Sequence, residues 1–353
     1  MMHRLYLDHN ATTPIRYAAR EAMASAMDKV GNPSSIHAEG RAAKAIVEKA
    51  REDLAVALGA DGADVIFTSG STEAAFLALS GREVQCSHVE HDAVVAYSEP
   101  SLLADDNGLV NVLVPEKTAL QFANSETGVI QELPEGLCFC DMTQGFGKMP
   151  ISFNWSGALM AAVSAHKIGG PKGVGALVVK RGTYLQANIK GGGQEMGRRS
   201  GTENVIGIAG FGAAALVAQK ELSEGLWDQV EELRNYFETA IAQMAPDTTL
   251  AGRSTNRLPN TSCVVSPGWR GDTQVMQMDL EGIAVSAGAA CSSGKVKGSR
   301  VLTAMGFTPE DSRCGIRVSL STETTKEEIE RLIDCWTTKK RKMSSRRLSE
   351  YAG

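Results

Sequence analysis

Short apolar runs alternate along this chain with longer stretches in which apolar residues recur at helical spacing, and the two textures predict two kinds of element. Asp64-Val65-Ile66-Phe67-Thr68 reads as a strand, and Ser69-Gly70-Ser71-Thr72-Glu73 turns it into the helical Ala74-Ala75-Phe76-Leu77-Ala78-Leu79, a strand-turn-helix unit. Further apolar runs at 84–87, 110–114, 119–123, 137–141, 158–164 and 174–179 predict about seven strands in a mostly parallel sheet. Helical segments at 16–27 and 42–58 flank them, and the Ala-, Leu-, Glu- and Gln-rich stretch 204–242 predicts long helices closing the unit. Beyond it, shorter strands near 260–265, 283–286 and 315–320 alternate with helical pieces at 273–280 and 326–336. The expected fold is therefore α/β: a large domain over residues 15–240, and a smaller α+β domain built from 1–14 and 241–353. The basic run Lys339-Lys340-Arg341-Lys342 is expected to be a solvated, frayed tail.

At 353 residues the chain exceeds one typical domain, and 43% hydrophobic with 22% charged residues is ordinary globular composition. No apolar run approaches the roughly 20 residues that span a bilayer, and the start Met1-Met2-His3-Arg4-Leu5-Tyr6-Leu7-Asp8 lacks a signal-peptide core. The expectation is a cytoplasmic protein with no membrane partner. A formal charge of −5 argues against a nucleic-acid binder and for small-molecule chemistry. The seven cysteines, Cys86, Cys138, Cys140, Cys263, Cys291, Cys314 and Cys335, show no CxxC spacing and read as free thiols. Cys86, His88 and His91 lie close in sequence, but a fourth metal ligand is not evident, and a strand end with one useful histidine is the simpler reading.

The apolar run 158–163 ends in Ser164-Ala165-His166-Lys167, and the turn Gly169-Gly170-Pro171-Lys172-Gly173 follows. A buried strand of this kind delivers Lys167 to the carboxyl end of the sheet, where open α/β sheets bind ligands. Partial desolvation there makes a lysine a neutral nucleophile, able to form a Schiff base with a carbonyl or with pyridoxal phosphate. A lone lysine in a loop is more often a plain surface residue, so its company decides.

Pyridoxal phosphate asks a protein for such a lysine, an acid at the pyridine nitrogen, a ring support, a phosphate cradle and a clamp for the substrate carboxylate. Ser71 and Thr72 stand where a strand meets a helix, so hydroxyls, free N–H groups and the helix dipole converge there on a phosphate. Asp141 ends a strand, with Gln144 one turn later. His91 has the flat ring needed to stack on a cofactor and to move protons, or it packs as a surface histidine. Arg317, on the apolar Gly315-Ile316-Arg317-Val318-Ser319, needs a partner if buried: a bidentate substrate carboxylate, or an internal Asp or Glu.

Several long motifs in a fixed order now add to this reading: Tyr6-Leu7-Asp8-His9-Asn10-Ala11-Thr12-Thr13-Pro14, Gly31-Asn32-Pro33-Ser34-Ser35-Ile36-His37, Ser69-Gly70-Ser71-Thr72-Glu73, Asn124-Ser125-Glu126-Thr127-Gly128, Asp141-Met142-Thr143-Gln144 and Ser164-Ala165-His166-Lys167. In these the chain resembles the cysteine desulfurases, fold type I pyridoxal-phosphate enzymes of the class V aminotransferase group. The resemblance implies that Lys167 forms the Schiff base, Asp141 pairs with the pyridine nitrogen, Gln144 touches the phenolic oxygen and His91 stacks on the ring. It implies that Thr72, Ser164 and His166 hold the phosphate, that Asn124 and Arg317 hold the substrate carboxylate, and that Thr202, in Arg198-Arg199-Ser200-Gly201-Thr202, reaches the neighbouring site of a homodimer.

Cys291 separates sulfur chemistry from transamination. It lies in Ser286-Ala287-Gly288-Ala289-Ala290-Cys291-Ser292-Ser293-Gly294-Lys295-Val296-Lys297-Gly298, surrounded by small residues. Such a loop can move as a sulfur carrier must, with Lys295 and Lys297 favouring the thiolate; the plain alternative is an inert structural cysteine. The cycle implied by the resemblance starts with L-cysteine displacing Lys167, after which Lys167 or His91 takes the Cα proton. Cys291 then attacks the sulfur, leaving L-alanine and a persulfide that passes to a scaffold or relay protein of iron–sulfur cluster assembly or related sulfur metabolism.

An aminotransferase or selenocysteine lyase shares everything except the demand for Cys291, and a trimmed, non-catalytic homologue serving as a binding subunit predicts a colourless protein. A dinucleotide oxidoreductase fits poorly, because Gly173-Val174-Gly175 precedes its strand and lacks the third glycine. Between Asn124 and Asp141, and between Leu79 and Cys86, the chain leaves room for little helix, so the large domain reads as trimmed. Apolar surface near residues 129–136 is then expected to need cover from a partner protein or the dimer mate. The C-terminal tail reads as short for the family, which leaves the sulfur acceptor open.

Overall fold

The computed structural model describes residues 4–288 and 298–351. The chain opens with β1 (Leu5–Tyr6) and two helices, α1 (Tyr17–Met27) and α2 (Ala38–Ala57). Then come β2 (Asp64–Thr68), α3 (Ser71–Leu79), β3 (Gln85–Ser87), the one-turn α4 (Asp92–Val95), β4 (Glu99–Leu102), β5 (Ala119–Gln121), β6 (Phe139–Asp141), β7 (Met160–Ser164) and β8 (Gly175–Val179). Five of these strands form one sheet in the order β2-β8-β7-β6-β5, with β5, β6 and β7 parallel and β8 running against both its neighbours. β3 pairs in parallel with β4, and a parallel bridge from Gln85 to Thr118 places that pair beside the five-stranded sheet.

The expected strand at 110–114 is not among them. Val110 makes only an isolated bridge to Ala104, and Leu113 and Val114 are exposed. The outer strand is β4 instead, whose Glu99 and Pro100 hide it from an apolar pattern; an edge strand tolerates proline because one side of it needs no donor.

The central strands are buried on both faces, and their side chains alternate between two cores. On β7, Ala161 and Val163 face a core shared with α1, α2 and α5 (Val205–Ser223), while Met160 and Ala162 face one shared with α3. α5 has 19 residues and is apolar enough to cross a membrane by length and composition, against the expectation that no apolar run comes near that length. Here Ile208, Phe211, Ala214 and Ala215 lie in the first core. Gly212 allows that contact, since a Cβ there would stand 2.8 Å from Cα of Ala50 on α2.

α6 (Leu226–Met244) leads into the rest of the chain: β9 (Thr249–Leu250), β10 (Thr261–Val265), α7 (Gly271–Leu280), β11 (Ile283–Ala284), β12 (Ser286–Ala287), α8 (Arg300–Ala304), β13 (Gly315–Ser319) and α9 (Lys326–Tyr351). A four-stranded sheet in the order β12-β13-β10-β9 is antiparallel throughout, and β1 pairs in parallel with β11. Its core gathers Leu5, Leu7, Phe237, Ile316, Leu332 and Trp336, so β1 and the apolar face of α6 both belong to it.

Two expectations are corrected here. The basic run at 339–342 is part of α9 rather than a frayed tail, because Lys340 is only 4% exposed and its amine donates to Asp247 Oδ2 at 2.7 Å and Ser266 Oγ at 2.6 Å. The segment between β5 and β6 does lack a helix, yet it leaves no large apolar side chain exposed near 129–136 among the described residues. Val129 and Leu137 are buried and Leu133 packs on the first core, so the loop itself covers the sheet and the motive for a covering partner there is gone.

Candidate active site

β7 ends at Ser164, and a 3₁₀ turn over Ala165–Lys167 turns the lysine out of the sheet. Its Nζ donates to the backbone carbonyls of Asn10, at 2.6 Å, and Ala11, at 2.9 Å. Burial, reinforced by the Arg317 guanidinium and opposed by Asp141 and Asp8, lowers its pKa to about 8. A lysine of this kind offers a useful fraction of free amine near neutral pH, as the strand-end argument requires.

Asn10 is the hub of a buried polar network. Its N–H donates to Ser319 Oγ at 3.0 Å, and its side-chain amide donates to Thr261 Oγ1 at 2.8 Å and to the Ser125 carbonyl at 3.2 Å. Its Oδ1 accepts from Asn260 at 3.0 Å and from Lys148 at 2.8 Å. Gln144 Nε2 donates at 3.0 Å to the same backbone carbonyl that receives Lys167. The N-terminal segment is thus stitched to β10, β13 and the turn after β6, which closes one wall of the site.

Asp141 stands at the carboxyl end of β6, where its Oδ1 accepts the Thr143 N–H at 2.9 Å. Beneath it Glu90 is buried, with Oε1 accepting the Gln121 N–H at 2.7 Å and Oε2 unpartnered among the described residues. Burial first, and the Asp141 charge next among the forces that raise it, push its pKa well up.

Asn124 is 3% exposed: its Nδ2 donates one hydrogen to the Val89 carbonyl at 2.9 Å, and its Oδ1 accepts the N–H groups of Glu126 and Thr127 at 2.8 and 2.9 Å. These bonds shape the Asn124-Ser125-Glu126-Thr127-Gly128 turn. Arg317 holds the internal acid of the two partners allowed by the sequence, donating to Asp8 Oδ1 at 2.7 Å, and to the Ser125 carbonyl at 3.1 Å. Its Nε is buried without a partner among the described residues.

On the opposite wall, α3 starts beside the same strand ends. A Cβ on Gly175 would lie 2.6 Å from Cα of Gly70, so only glycine lets the Ser69-Gly70-Ser71 turn settle onto β8. The N–H groups of Ser71, Thr72 and Glu73 have no acceptor among the described residues, and the Thr72 side chain is exposed. Glu73 is paired with Arg199 at 2.8 Å, and the buried Glu195 with Arg51 at 2.8 Å; together they tie down the loop that carries the exposed Thr202.

Ser164 is buried at the end of β7. His166 Nδ1 meets Thr12 Oγ1 at 3.2 Å, and burial with the Lys167 and Lys172 charges lowers its pKa to about 4, leaving the ring neutral. The exposed His91 caps α4 by accepting the Ala93 N–H on Nδ1 at 3.1 Å, which puts its own proton on Nε2. Cys86 is buried, its thiol pushed up to about 12, and no group of three potential metal ligands gathers among the described residues.

The structure therefore brings Lys167, Gln144, Asp141 and Arg317 into one connected, largely buried region; Ser71 and Thr72 open α3 beside the end of β8, and the exposed His91 and Thr202 form no hydrogen bond with that region among the described residues. Cys291, Lys295 and Lys297 lie outside the described residues. On either side of that stretch, Gly288 and Ser299 meet Glu126: Ser299 Oγ donates to its Oε2 at 2.6 Å, and a Cβ on Gly288 would sit 2.8 Å from the same oxygen. Burial raises the pKa of Glu126 to about 7. Sequence reasoning missed the roles of Asp8, Asn10, Glu90, Glu126 and Lys148. The signal was present, since each is a strongly polar residue in or beside a motif already quoted.

The profile of the family described as Aminotransferase class-V matches residues 5–101 and 114–332. The cysteine desulfurase IscS of Dictyoglomus turgidum is 36% identical over 370 residues, covering 95% of this chain and 94% of that protein. Among solved structures, a NifS-like protein from Rickettsia africae superposes with a TM-score of 0.86 at 32% identity, covering 95% of this chain and 98% of that one. SspA, solved in complex with cysteine, superposes with a TM-score of 0.75 at 27% identity, covering 91% of this chain and 100% of its own. A desolvated lysine at a strand end, an acid on the next strand and these matches across nearly the whole length lead to one conclusion: the chain belongs to the aminotransferase class-V family, among its cysteine desulfurases.

Proposed function

We propose that this cysteine desulfurase uses pyridoxal 5'-phosphate held at Lys167 to take sulfur from L-cysteine, releasing L-alanine and leaving a persulfide on Cys291. The observation that carries the reading is the Lys167 amine, desolvated at the end of β7 with a pKa of about 8, beside Asp141. The donor set fits the cofactor: an amine for its aldehyde, a carboxylate for its ring nitrogen, the Gln144 amide for its phenolic oxygen, and free N–H groups with the Ser71 and Thr72 hydroxyls for its phosphate. Ser164 and His166 would complete the phosphate contacts, and His91 would support the ring. When bound, the group supplies an electron sink for charge developing at the substrate Cα.

The chain's own residues supply the rest. Arg317 would take the substrate carboxylate with the N–H groups that its bonds to Asp8 and the Ser125 carbonyl leave over, and Asn124 would join it through the second hydrogen of its Nδ2. Lys167, as a free amine, would accept the Cα proton, or His91 would do so once its Nδ1 lets go of the Ala93 N–H. Cys291 would then attack as a thiolate: a sulfur–sulfur bond forms, the carbon–sulfur bond breaks, and its electron pair stays on the carbon that takes up a proton to become alanine. That persulfide would pass to a scaffold or relay protein of iron–sulfur cluster assembly or related sulfur metabolism.

The same reading divides the chain into a cofactor-binding domain at 15–240 and a smaller domain at 1–14 and 241–353 that carries the cysteine loop, with α6 as the shared element. It also makes the protein a cytoplasmic homodimer, supported by Thr202, which is exposed on a tied-down loop and available to a second copy. SspA, a structural neighbour, is solved with cysteine, which supports L-cysteine as substrate. Borohydride reduction of the yellow protein followed by peptide mapping tests the proposal: label is expected on Lys167, and label elsewhere overturns it. Cys291→Ser is expected to keep the colour and lose persulfide formation; retained sulfide release would point to another class V enzyme such as a selenocysteine lyase.

A further inference from the structure

Lys148 is 3% exposed, yet it has no carboxylate within ion-pair distance among the described residues. Its amine meets two neutral acceptors instead, Asn10 Oδ1 and Gln144 Oε1, both at 2.8 Å. Burying an amine this way is expensive, and a methionine would fill the space without that cost. The turn after β6 explains the geometry: Phe146 N–H bonds the Met142 carbonyl and Lys148 N–H the Gly145 carbonyl, which folds Lys148 back over Gln144. With its carbonyl end held by Lys148, the Gln144 amide can turn only its NH₂ toward the Asn10 backbone carbonyl. That oxygen also receives the Lys167 amine.

We propose that Lys148 is a positioning residue: it locks the amide of Gln144 and the side chain of Asn10, so that the NH₂ of Gln144 and not its carbonyl oxygen is turned to the backbone oxygen that receives Lys167. This rests on the reading of Lys167 as the cofactor lysine. The charged and titratable groups facing Lys167 are Asp8 and His9 from the N-terminal segment, Asp141 from β6, His166 beside it, Arg317 from β13 and Lys148 itself. Removing Lys148 frees the Gln144 carbonyl to turn and accept from a Lys167 ammonium. That change favours the protonated form of Lys167.

The test uses the full chain without cofactor, so it does not depend on where the cofactor attaches. Competitive acetylation across a pH series, read at the Lys167 peptide by mass spectrometry, yields the midpoint of its titration, expected at about 8 in the wild type. Lys148→Met is expected to raise that midpoint by about one pH unit, leaving roughly tenfold less free amine at neutral pH. Lys148→Arg, which keeps the donors, is expected to stay near the wild type. A purely structural role would lower the melting temperature of Lys148→Met while leaving the midpoint in place, and that result overturns the proposal. Where Lys148→Met does not fold, Lys148→Gln keeps one donor and is expected to show a smaller rise; an unmoved midpoint there is equally decisive against it. Label missing from Lys167 in the borohydride experiment would instead sink the cofactor reading and leave this titration intact.

Discussion

The two walls of the site are built on opposite principles. The wall of Lys167, Gln144, Asn10 and Lys148 is largely buried and knotted together by hydrogen bonds, whereas Thr72, His91 and Thr202 are exposed, and the N–H groups at the start of α3 have no acceptor among the described residues. A group that must change its proton needs desolvation and fixed neighbours, because these shift its pKa. A group that must receive a phosphate needs unspent N–H and O–H donors at a helix start. On the proposed reading the walls therefore differ in the chemistry each would perform. Reactivity comes from burial, and binding comes from what burial has left unsatisfied.

Substitutions can break this contrast, and the largest effect is expected at its centre. Lys167→Ala should reduce alanine release from L-cysteine by about 10³-fold or more, with the folded state kept, since the change removes a desolvated amine rather than a buried contact. Next comes Asn10→Ala, which strips buried donors on Lys148 and Asn260 of their acceptor; urea denaturation should show a loss of about 3 kcal/mol. If that variant is as stable as the wild type, the network is ornament rather than support.

The pH dependence sharpens the same point. With its pKa lowered to about 8, Lys167 is half free amine at that pH and nearly all free about one unit above it, whereas an ordinary lysine is half free only at about 10.5. Stopped-flow capture of pyridoxal phosphate by the cofactor-free chain should therefore rise roughly tenfold from one unit below this pKa and level off above it. The smallest effect belongs to the open wall. Thr72→Ala should weaken cofactor binding by about tenfold in an equilibrium titration and leave stability within about 0.5 kcal/mol. A large stability loss there would erase the distinction between the walls.

Much of the site is legible in the sequence because it lies at element ends. Lys167 after β7, Asp141 at the end of β6 and Thr72 at the start of α3 all sit where an apolar run stops, and such stops show in one dimension. What escapes is set by partners far along the chain. Arg317 asks for an anion, but nothing local names Asp8, which is 309 positions away. The motif around Asn124 suggests a substrate contact, while the structure commits both ends of its amide to its own turn and to Val89. β4 eludes an apolar pattern because an edge strand can be polar and carry a proline, and the end of α9 resembles a tail because the contacts of Lys340 lie on other elements.

By itself the sequence determined the order of strands and helices, the lysine that leaves the sheet and the family, because periodicity, turn residues and motif spacing are properties of neighbouring positions. Tertiary structure alone decided which polar groups are used up and which remain available: Lys148 reaches Asn10 across 138 positions, and packing, not spacing, brings them within a hydrogen bond. The physical reason is burial. A polar side chain acquires its charge state and its freedom only when the chain folds water away from it, and that depends on everything packed around it.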